Sequence, residues 1–371
     1  MRKPRTDCQQ SHNFLSPVSW PGFSVAAAGA YAHVAEAALK NRLGTIPLPR
    51  ASHFIPTWNC NSRCTVCDIW QRKGGHELDT GEMLTVIERL SCLDILKVVG
   101  GEPTMRHDIA LLMAAARDRI KPYILQIITN GFQPFRVDEI IRAAAYQGLH
   151  LRISLDGYGE AHNSIRGRSD AFDLVMETLR MATRLRRRYP VRIGINFNIT
   201  DGTLPDMPRV EALCRKLRLD FIPGIPVKPF LKPGGHRDTE KKTVQLSQKG
   251  KAGQVLDTVK MRNKSAYRPL ERAFLWFTDR TIFKKLLSEK PSLKFNCLEL
   301  RSLAYVLPSG DMVTCGLNQE PVGNLLEEEL TDIWFGPKMN EFRHRVDECP
   351  GCLQSAVEIL SRLYGGYLFP G

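Results

Sequence analysis

The chain has 371 residues, with 52 Lys+Arg against 39 Asp+Glu for a formal net charge of +13, and ten cysteines. Hydrophobic residues make up 43% and charged residues 25%, an ordinary globular balance that excludes a disordered, collagen-like or mostly membrane-embedded chain. At about 100–200 residues per domain the length suggests two or three domains, and the cysteines are too sparse for a small disulfide scaffold.

The N-terminus carries Arg2, Lys3 and Arg5 and then a long polar stretch, unlike a compact secretory signal. Residues 1–50 read as a cytoplasmic helical extension, with one helix over about Val25 to Arg42 that packs on the neighbouring domain or contacts a membrane surface peripherally. His53–Trp58 is a candidate strand. Asp79–Leu90 is a helix, with Glu82 three residues after Asp79 in capping-box spacing. Ile95–Val99 is a second strand ending in Gly100-Gly101-Glu102-Pro103, and a helix comes next at Asp108–Asp118. Tyr123–Thr129 is a third strand, stopped by Asn130-Gly131. Val137–Gln147 is helical, with Gly148 as its C′ glycine. Leu149, Leu151, Ile153 and Leu155 alternate with polar residues as a fourth strand. A helix over Ala171–Arg188, a strand over Val191–Ile199, a helix over Pro205–Leu217 and a strand over Leu219–Pro223 complete the series.

Strand and helix alternating six times predict right-handed βαβ units and a parallel sheet, with the chemistry on loops at the C-terminal strand ends. Residues 225–290 differ. They hold 16 Lys+Arg and 6 Asp+Glu, a net of +10, with a loop at Pro226–Gly235 and a helix from about Gln254. After 290 the pattern is short and turn-rich.

Seven cysteines form two groups. Cys60-Asn-Ser-Arg-Cys64-Thr-Val-Cys67 is a C-x3-C-x2-C array directly after the first strand. Three thiolates can converge on one soft metal centre, and His53 and His76 lie outside the tight spacing. The array is either a catalytic centre with one open position or a zinc site completed by a distant residue. It resembles the cluster loop of the radical S-adenosylmethionine (SAM) enzymes. That resemblance implies that Cys60, Cys64 and Cys67 hold a [4Fe–4S] cluster whose fourth iron is chelated by SAM. Val66 stands where the family often has an aromatic residue. Gly100-Gly101-Glu102 resembles the family's GGE motif, implying close backbone approach to SAM and a carboxylate for its ammonium. Asn130, Ser154 and Asp156, at the ends of the third and fourth strands, fit polar SAM contacts. Arg166, in His162-Asn-Ser-Ile-Arg166-Gly167, fits an arginine that pairs with the SAM carboxylate; taken alone it would be a solvated helix-start residue. The resemblance covers about 51–225 and implies a partial (β/α)6 TIM-like barrel.

Cys297, Cys315, Cys349 and Cys352, with gaps of 17, 33 and 2 residues, suit a Zn²⁺ site or a fully ligated [4Fe–4S] cluster equally. Gly310-Asp-Met-Val-Thr-Cys315, Val322-Gly323-Asn324-Leu325 and Leu330-Thr-Asp-Ile-Trp334 resemble the SPASM and twitch extensions. They imply a small cysteine-rich domain over 291–371 with one auxiliary cluster, redox-active or structural, joined to the barrel by the basic 226–290 segment. Cys8, Cys92 and Cys214 are isolated, and Cys92 and Cys214 read as buried small apolar residues.

The resemblance implies reductive cleavage of SAM to a 5′-deoxyadenosyl radical, which takes a hydrogen atom from substrate. It also implies a flavodoxin- or ferredoxin-type electron donor. Three substrate classes compete. A ribosomal peptide, the commonest substrate the C-terminal resemblance implies, is disfavoured by the short N-terminal extension; a small polar or anionic metabolite suits the basic segment; and a lipid or other apolar substrate suits Phe23–Leu39 and Ala273–Phe277. A zinc-containing nucleic-acid binder is the remote alternative, since no nucleic-acid module is visible.

Overall fold

The computed structural model describes residues 25–72, 75–90, 93–224, 297–298, 300–316 and 319–347, with scattered positions between 226 and 279. Helix α1 spans Val25–Arg42, and strand β1 spans Ala51–Phe54. Then come α2 Thr80–Arg89, β2 Ile95–Val98, α3 Ile109–Arg119, β3 Ile124–Thr129, α4 Pro134–Ala144 and β4 Leu149–Ser154. After these are α5 Glu160–Arg166, α6 Ala171–Leu185, β5 Arg192–Asn198, α7 Met207–Leu217 and β6 Asp220–Gly224. The C-terminal part contributes β7 Leu303–Val306, β8 Asp311–Val313, β9 Pro321–Asn324, α8 Leu330–Trp334 and α9 Pro337–Asp347.

Strands β1 to β6 are parallel and pair in chain order, as the alternation predicts. The sheet does not close. β6 is left at one edge, while β7 adds parallel to β1 and continues through the antiparallel β8 and β9. The partial barrel and the C-terminal hairpins therefore form one nine-stranded sheet.

One face of each strand packs under the helices. Leu96 and Val98, Leu125 and Ile127, Leu149 and Leu151, and Ile193 and Ile195 are buried in one apolar core that also takes in Trp334, Met339 and Phe342. On α6, Val175, Thr178, Leu179 and Ala182 are the buried stripe, spaced i, i+3, i+4, i+7 as a helix facing a sheet requires. The capping box of α2 forms: Glu82 N donates to Asp79 Oδ1 and Asp79 N to Glu82 Oε2, both at 2.9 Å, an arrangement worth about 1 kcal/mol.

Several boundaries differ from the sequence reading. β1 stops at Phe54, because Pro56 cannot donate to a ladder and the chain turns there into the cysteine loop. Helix α4 is capped at Ala145 rather than Gly148. Gly148 instead sits where a Cβ would strike the Tyr123 carbonyl and the Tyr146 ring, so its role is close approach, not a left-handed cap. The segment from Leu204 opens with a 3₁₀ turn before α7 starts at Met207. Helix α5 has no counterpart in the sequence reading.

Helix α1 seals the N-terminal ends of the central strands. Ala37 packs with Ala51, Leu298 and Leu303, His33 Nδ1 meets Asp94 Oδ1 at 2.8 Å, and Arg50 Nη2 reaches Glu36 Oε2 at 3.2 Å. No helix among the described residues is long and apolar enough to cross a membrane. The helix expected from about Gln254 appears as helical positions at Gly253, Val255, Asp257 and Thr258, with Val255 in the main core. The rest of the basic segment, the 273–277 run, Cys8, Cys92, Cys349 and Cys352 lie outside the described residues. Cys214 is buried on α7, as expected for a small apolar residue.

Candidate active site

The cysteine array lies in the loop after β1, at the C-terminal edge of the parallel strands, and Cys60, Cys64 and Cys67 form no disulfide. Three supports shape this loop. Glu77 is the first: Thr57 Oγ1 donates to its Oε2 at 2.9 Å and Trp58 N to its Oε1 at 2.7 Å. The second is the turn after β2, where Gly101 N donates to Thr57 O at 3.0 Å and Glu102 N to Asn59 O at 2.7 Å. A Cβ on Gly101 would collide with the Trp58 and Asn59 carbonyls. Gly100, at φ +140°, would place one 2.7 Å from Thr57 O. The close approach these glycines permit here is to the cysteine loop itself.

The third support is the C-terminus of α5. Its last carbonyls need donors, and the loop supplies them: Arg63 N to Arg166 O at 3.1 Å, Thr65 N to Ile165 O at 2.9 Å and Ser62 Oγ to Arg166 O at 2.9 Å. Ser62 Oγ also lies 3.0 Å from Cys64 Sγ. A serine has one proton to give, so with that proton on Arg166 O the Cys64 thiol donates to Ser62. Trp70 Nε1 closes the loop on Cys67 O at 2.9 Å.

Arg166 is no solvated residue. It ends α5, is buried, and sets Nη2 at 2.5 Å from Asp156 Oδ2 and Nη1 at 3.5 Å from Cys64 Sγ. Burial opposes its charge, but Asp156 and the thiols outweigh that and push its pKa up. Asp156, fully buried, accepts from Asn198 N at 2.7 Å. His162, also fully buried, accepts at Nδ1 from Asp156 N at 3.1 Å. Burial, then Arg166, drives its pKa down to about 3, so the ring is neutral and Nε2 carries the proton. That Nε2–H, Arg166 Nε and Nη2, and Asp156 Oδ2 have no well-directed hydrogen bond, the Arg166–Asp156 contact being a charge contact off the donor axis. Buried polar atoms left so are rare.

Glu102 is buried and accepts four hydrogen bonds, only one of them at Oε2. Oε1 accepts from Thr104 N, Thr104 Oγ1 and Thr129 Oγ1 at 3.1, 2.7 and 2.7 Å, and Oε2 from Asn130 N at 2.6 Å. A carboxylate offers about four acceptor sites, so Glu102 clamps the ends of β2 and β3 together. Asn130 Nδ2 in turn holds Asn61 Oδ1 at 2.7 Å, while Ser154 makes no such contact and stays half-buried at the end of β4.

The residues present fit a cluster and a zwitterionic ligand. Among the described residues no three His, Cys, Asp or Glu side chains could share one metal ion. Thiolates around one Zn²⁺ must lie within roughly 4 Å of each other, given a Zn–S bond of about 2.3 Å, whereas a cluster offers each thiolate its own iron. Burial pushes the Cys60 thiol up to about 12, with Glu102, Cys64 and Cys67 adding to the cost of ionising it. Burial raises Cys67 as well, with Cys64 adding to it. The three thiols lie in one loop and feel one another's charge, and the orphan atoms of Asp156, His162 and Arg166 beside Cys64 suit a ligand with both charges.

The array also connects to the C-terminal hairpins. Arg72 stacks on the Trp58 ring, 3.9 Å from its centroid, and donates to Gln319 Oε1 at 2.8 Å, four residues past Cys315. The sequence reading missed Ser62, Glu77, Arg72 and His162. Only His162 had a signal: it stands four residues before Arg166, on the same helix face.

Comparison with known proteins agrees with this geometry. Residues 54–217 match the model of the radical SAM superfamily, and residues 297–353 match that of an iron–sulfur cluster-binding domain, SPASM. The chain is 25% identical over 305 residues to the Fe-coproporphyrin III synthase of Methanosarcina barkeri, covering 76% of this chain and 73% of that one. It is 33% identical over 167 residues to a probable GTP 3',8-cyclase of Thermococcus kodakarensis, covering 42% of this chain and 51% of that one, about half its length. Among solved structures, Streptococcus suis SuiB bound to S-adenosylmethionine aligns with a TM-score of 0.55 at 17% identity, covering 85% of this chain and 72% of that one. Native anSMEcpe with AdoMet and the Kp18Cys peptide aligns at 0.53 and 18%, covering 87% and 98%. The paired domains, the open parallel sheet and the three-cysteine loop place the chain in the radical SAM superfamily, as an enzyme with a C-terminal SPASM-type iron–sulfur domain.

Proposed function

We propose that Cys60, Cys64 and Cys67 hold the catalytic [4Fe–4S] cluster, and that Arg166, Asp156 and His162 receive SAM beside it. When bound, cluster and SAM together supply one-electron cleavage and a radical able to take a hydrogen atom from substrate. The chain's own residues do the rest. Glu77, Gly101 and the end of α5 fix the loop, and Glu102 locks the strand ends. Asn130 anchors Asn61, Ser154 faces the site from β4, and Arg166 sets a buried positive charge against the thiolates. Cys297, Cys315, Cys349 and Cys352 would hold an auxiliary cluster, with the Trp58–Arg72–Gln319 contacts joining the two regions. A flavodoxin- or ferredoxin-type protein is the proposed electron donor.

The observation that carries this reading is three thiols beside buried, unsatisfied polar atoms at the C-terminal ends of a parallel sheet. Anaerobic reconstitution tests it. We expect about eight iron per chain, two clusters' worth, and 5′-deoxyadenosine on adding SAM and reductant. About one metal ion per site and no such product would refute it.

For the substrate we propose a small anionic molecule, in keeping with relatives named for a coproporphyrin and for GTP. A peptide is the second reading, favoured by SuiB bound to its precursor peptide SuiA, which aligns over 90% of this chain with a TM-score of 0.54. Deuterium transfer from labelled candidates into 5′-deoxyadenosine separates the two.

A further inference from the structure

A polar row crosses the sheet at one register level. Tyr305 on β7 pairs with His53 on β1, His53 with Lys97 on β2, Lys97 with Gln126 on β3, Gln126 with His150 on β4, and His150 with Arg192 on β5. Side chains alternate faces along a strand, and the residues on either side of this row on β2 to β5 and on β7 belong to the helix-covered core, as does Phe54 on β1. The row therefore faces the inside of the open barrel. Interiors of closed barrels of this kind are filled by branched apolar side chains; this level holds no aliphatic residue.

Among the described residues, that face carries more cations than carboxylates. Asp220 accepts from Arg152 Nη1 at 2.7 Å and from Arg192 Nε at 2.7 Å. One carboxylate thus serves two guanidinium groups. Gly194 makes this possible, since a Cβ there would collide with the Arg152 guanidinium. Lys97 has no hydrogen bond and no ion pair among the described residues, and the charge nearest to it in effect is Arg152, another cation. His53, stacked on Tyr305 with ring centroids 4.4 Å apart and planes 10° from parallel, is held neutral by burial and by Lys97. His150 faces Arg152 Nη2 through Nδ1 at 3.4 Å. An arginine only donates, so Nδ1 accepts and Nε2–H is left as a donor. Burial pulls the Lys97 ammonium down to about 8, so near neutral pH it is a costly charge with no carboxylate partner among the described residues. Its position, partly accessible on the inner face and walled by strands on both sides, gives an anion a place to sit.

We propose that Lys97 and Arg152 form an anion subsite inside the barrel that takes an oxyanion of the substrate, a carboxylate or a phosphate. That the oxyanion belongs to the substrate rests on the radical SAM reading; the subsite itself does not.

The test uses the reconstituted holoenzyme, titrated with inorganic phosphate and with malonate at constant ionic strength and followed by calorimetry. Wild type should bind one or both, and the arm that binds more tightly names the group. Lys97→Met should weaken that binding at least about tenfold, the loss of one charge-assisted hydrogen bond, while Lys216→Met, on the exposed face of α7, leaves it unchanged. Should Lys97→Met fail to fold, wild type still decides. The bound anion should protect Lys97 from reductive methylation, read by peptide mass spectrometry. Equal binding by wild type and Lys97→Met, no binding, or unprotected Lys97 would overturn the subsite. Iron content and 5′-deoxyadenosine from SAM alone are read on the same samples. Their loss in wild type refutes the radical SAM reading and leaves the anion result to stand or fall separately.

Discussion

Arg166 Nη1 lies 3.5 Å from Cys64 Sγ, although 102 residues separate them. The contact puts a buried positive charge against a thiol that we propose as an anionic cluster ligand, and the same guanidinium is held from behind by Asp156 at 2.5 Å. Hydrogen bonds and charge at cluster sulfurs are among the protein's levers on reduction potential. Arg166 thus both docks α5 on the loop and sets the electrostatics of the centre.

Breaking this pair should cost more than losing a surface ion pair. Arg166→Met leaves Asp156 charged and buried, and Asp156→Asn leaves Arg166 so; each should lower stability by about 3–5 kcal/mol. The double variant should lose clearly less than the sum. Urea unfolding of the four proteins measures the coupling, and simple additivity would show that the pair is not energetically linked.

Glu77 shapes the cysteine loop without touching a cysteine. Glu77→Gln removes one acceptor oxygen from the bonds with Thr57 and Trp58. The catalytic cluster should be lost on dilution while the C-terminal one stays, so iron falls from about eight toward about four per chain. Iron retention equal to wild type after gel filtration would mean the loop holds its shape unaided.

Gly101→Ala tests the packing of the two turns. The added methyl has backbone carbonyls of Trp58 and Asn59 in its path, and backbone cannot move aside as a flexible side chain does. Overpacking of this kind costs about 1–3 kcal/mol. A lower melting temperature and poor loading of the catalytic cluster are expected together.

The Asp220 network predicts a pH dependence. Burial pushes this carboxyl up, but Arg152 and Arg192 outweigh it and hold it below the usual carboxylate range. A depressed carboxyl contributes stability above its unfolded pKa of about 3.9 and loses it as pH falls through the folded value. Asp220→Asn should therefore destabilise the protein by a constant amount from neutral pH down to about 4. The gap should close only at lower pH, as the wild-type carboxyl takes up its own proton. Unfolding curves across that range measure it.

Much of this was legible from local sequence. The alternation of apolar runs gives the six parallel strands, Asp79 and Glu82 give the capping box that forms, and the C-x3-C-x2-C spacing singles out the centre. What stayed hidden depends on contacts between distant positions. Nothing local to Leu303–Val306 says that it will extend the sheet at β1, since a strand's partner is set by the whole topology. The resemblance singles out Arg166, but taken alone it reads as solvated, and its burial between Asp156 and the cysteine loop appears only in the fold. Gly148 looks like a helix cap, and only the Tyr123 carbonyl above it shows why no side chain fits. The row through Lys97 and His150 emerges once the register is known, because each strand taken singly shows one unremarked polar residue.

The central claim is that the three-cysteine loop is a SAM-cleaving iron–sulfur centre distinct from the C-terminal cluster. The direct measurement is 5′-deoxyadenosine formation by the reconstituted Cys64→Ala variant with SAM and reductant, alongside its iron content. The account predicts no product and about half the wild-type iron, the C-terminal cluster remaining. Product at the wild-type rate would contradict it.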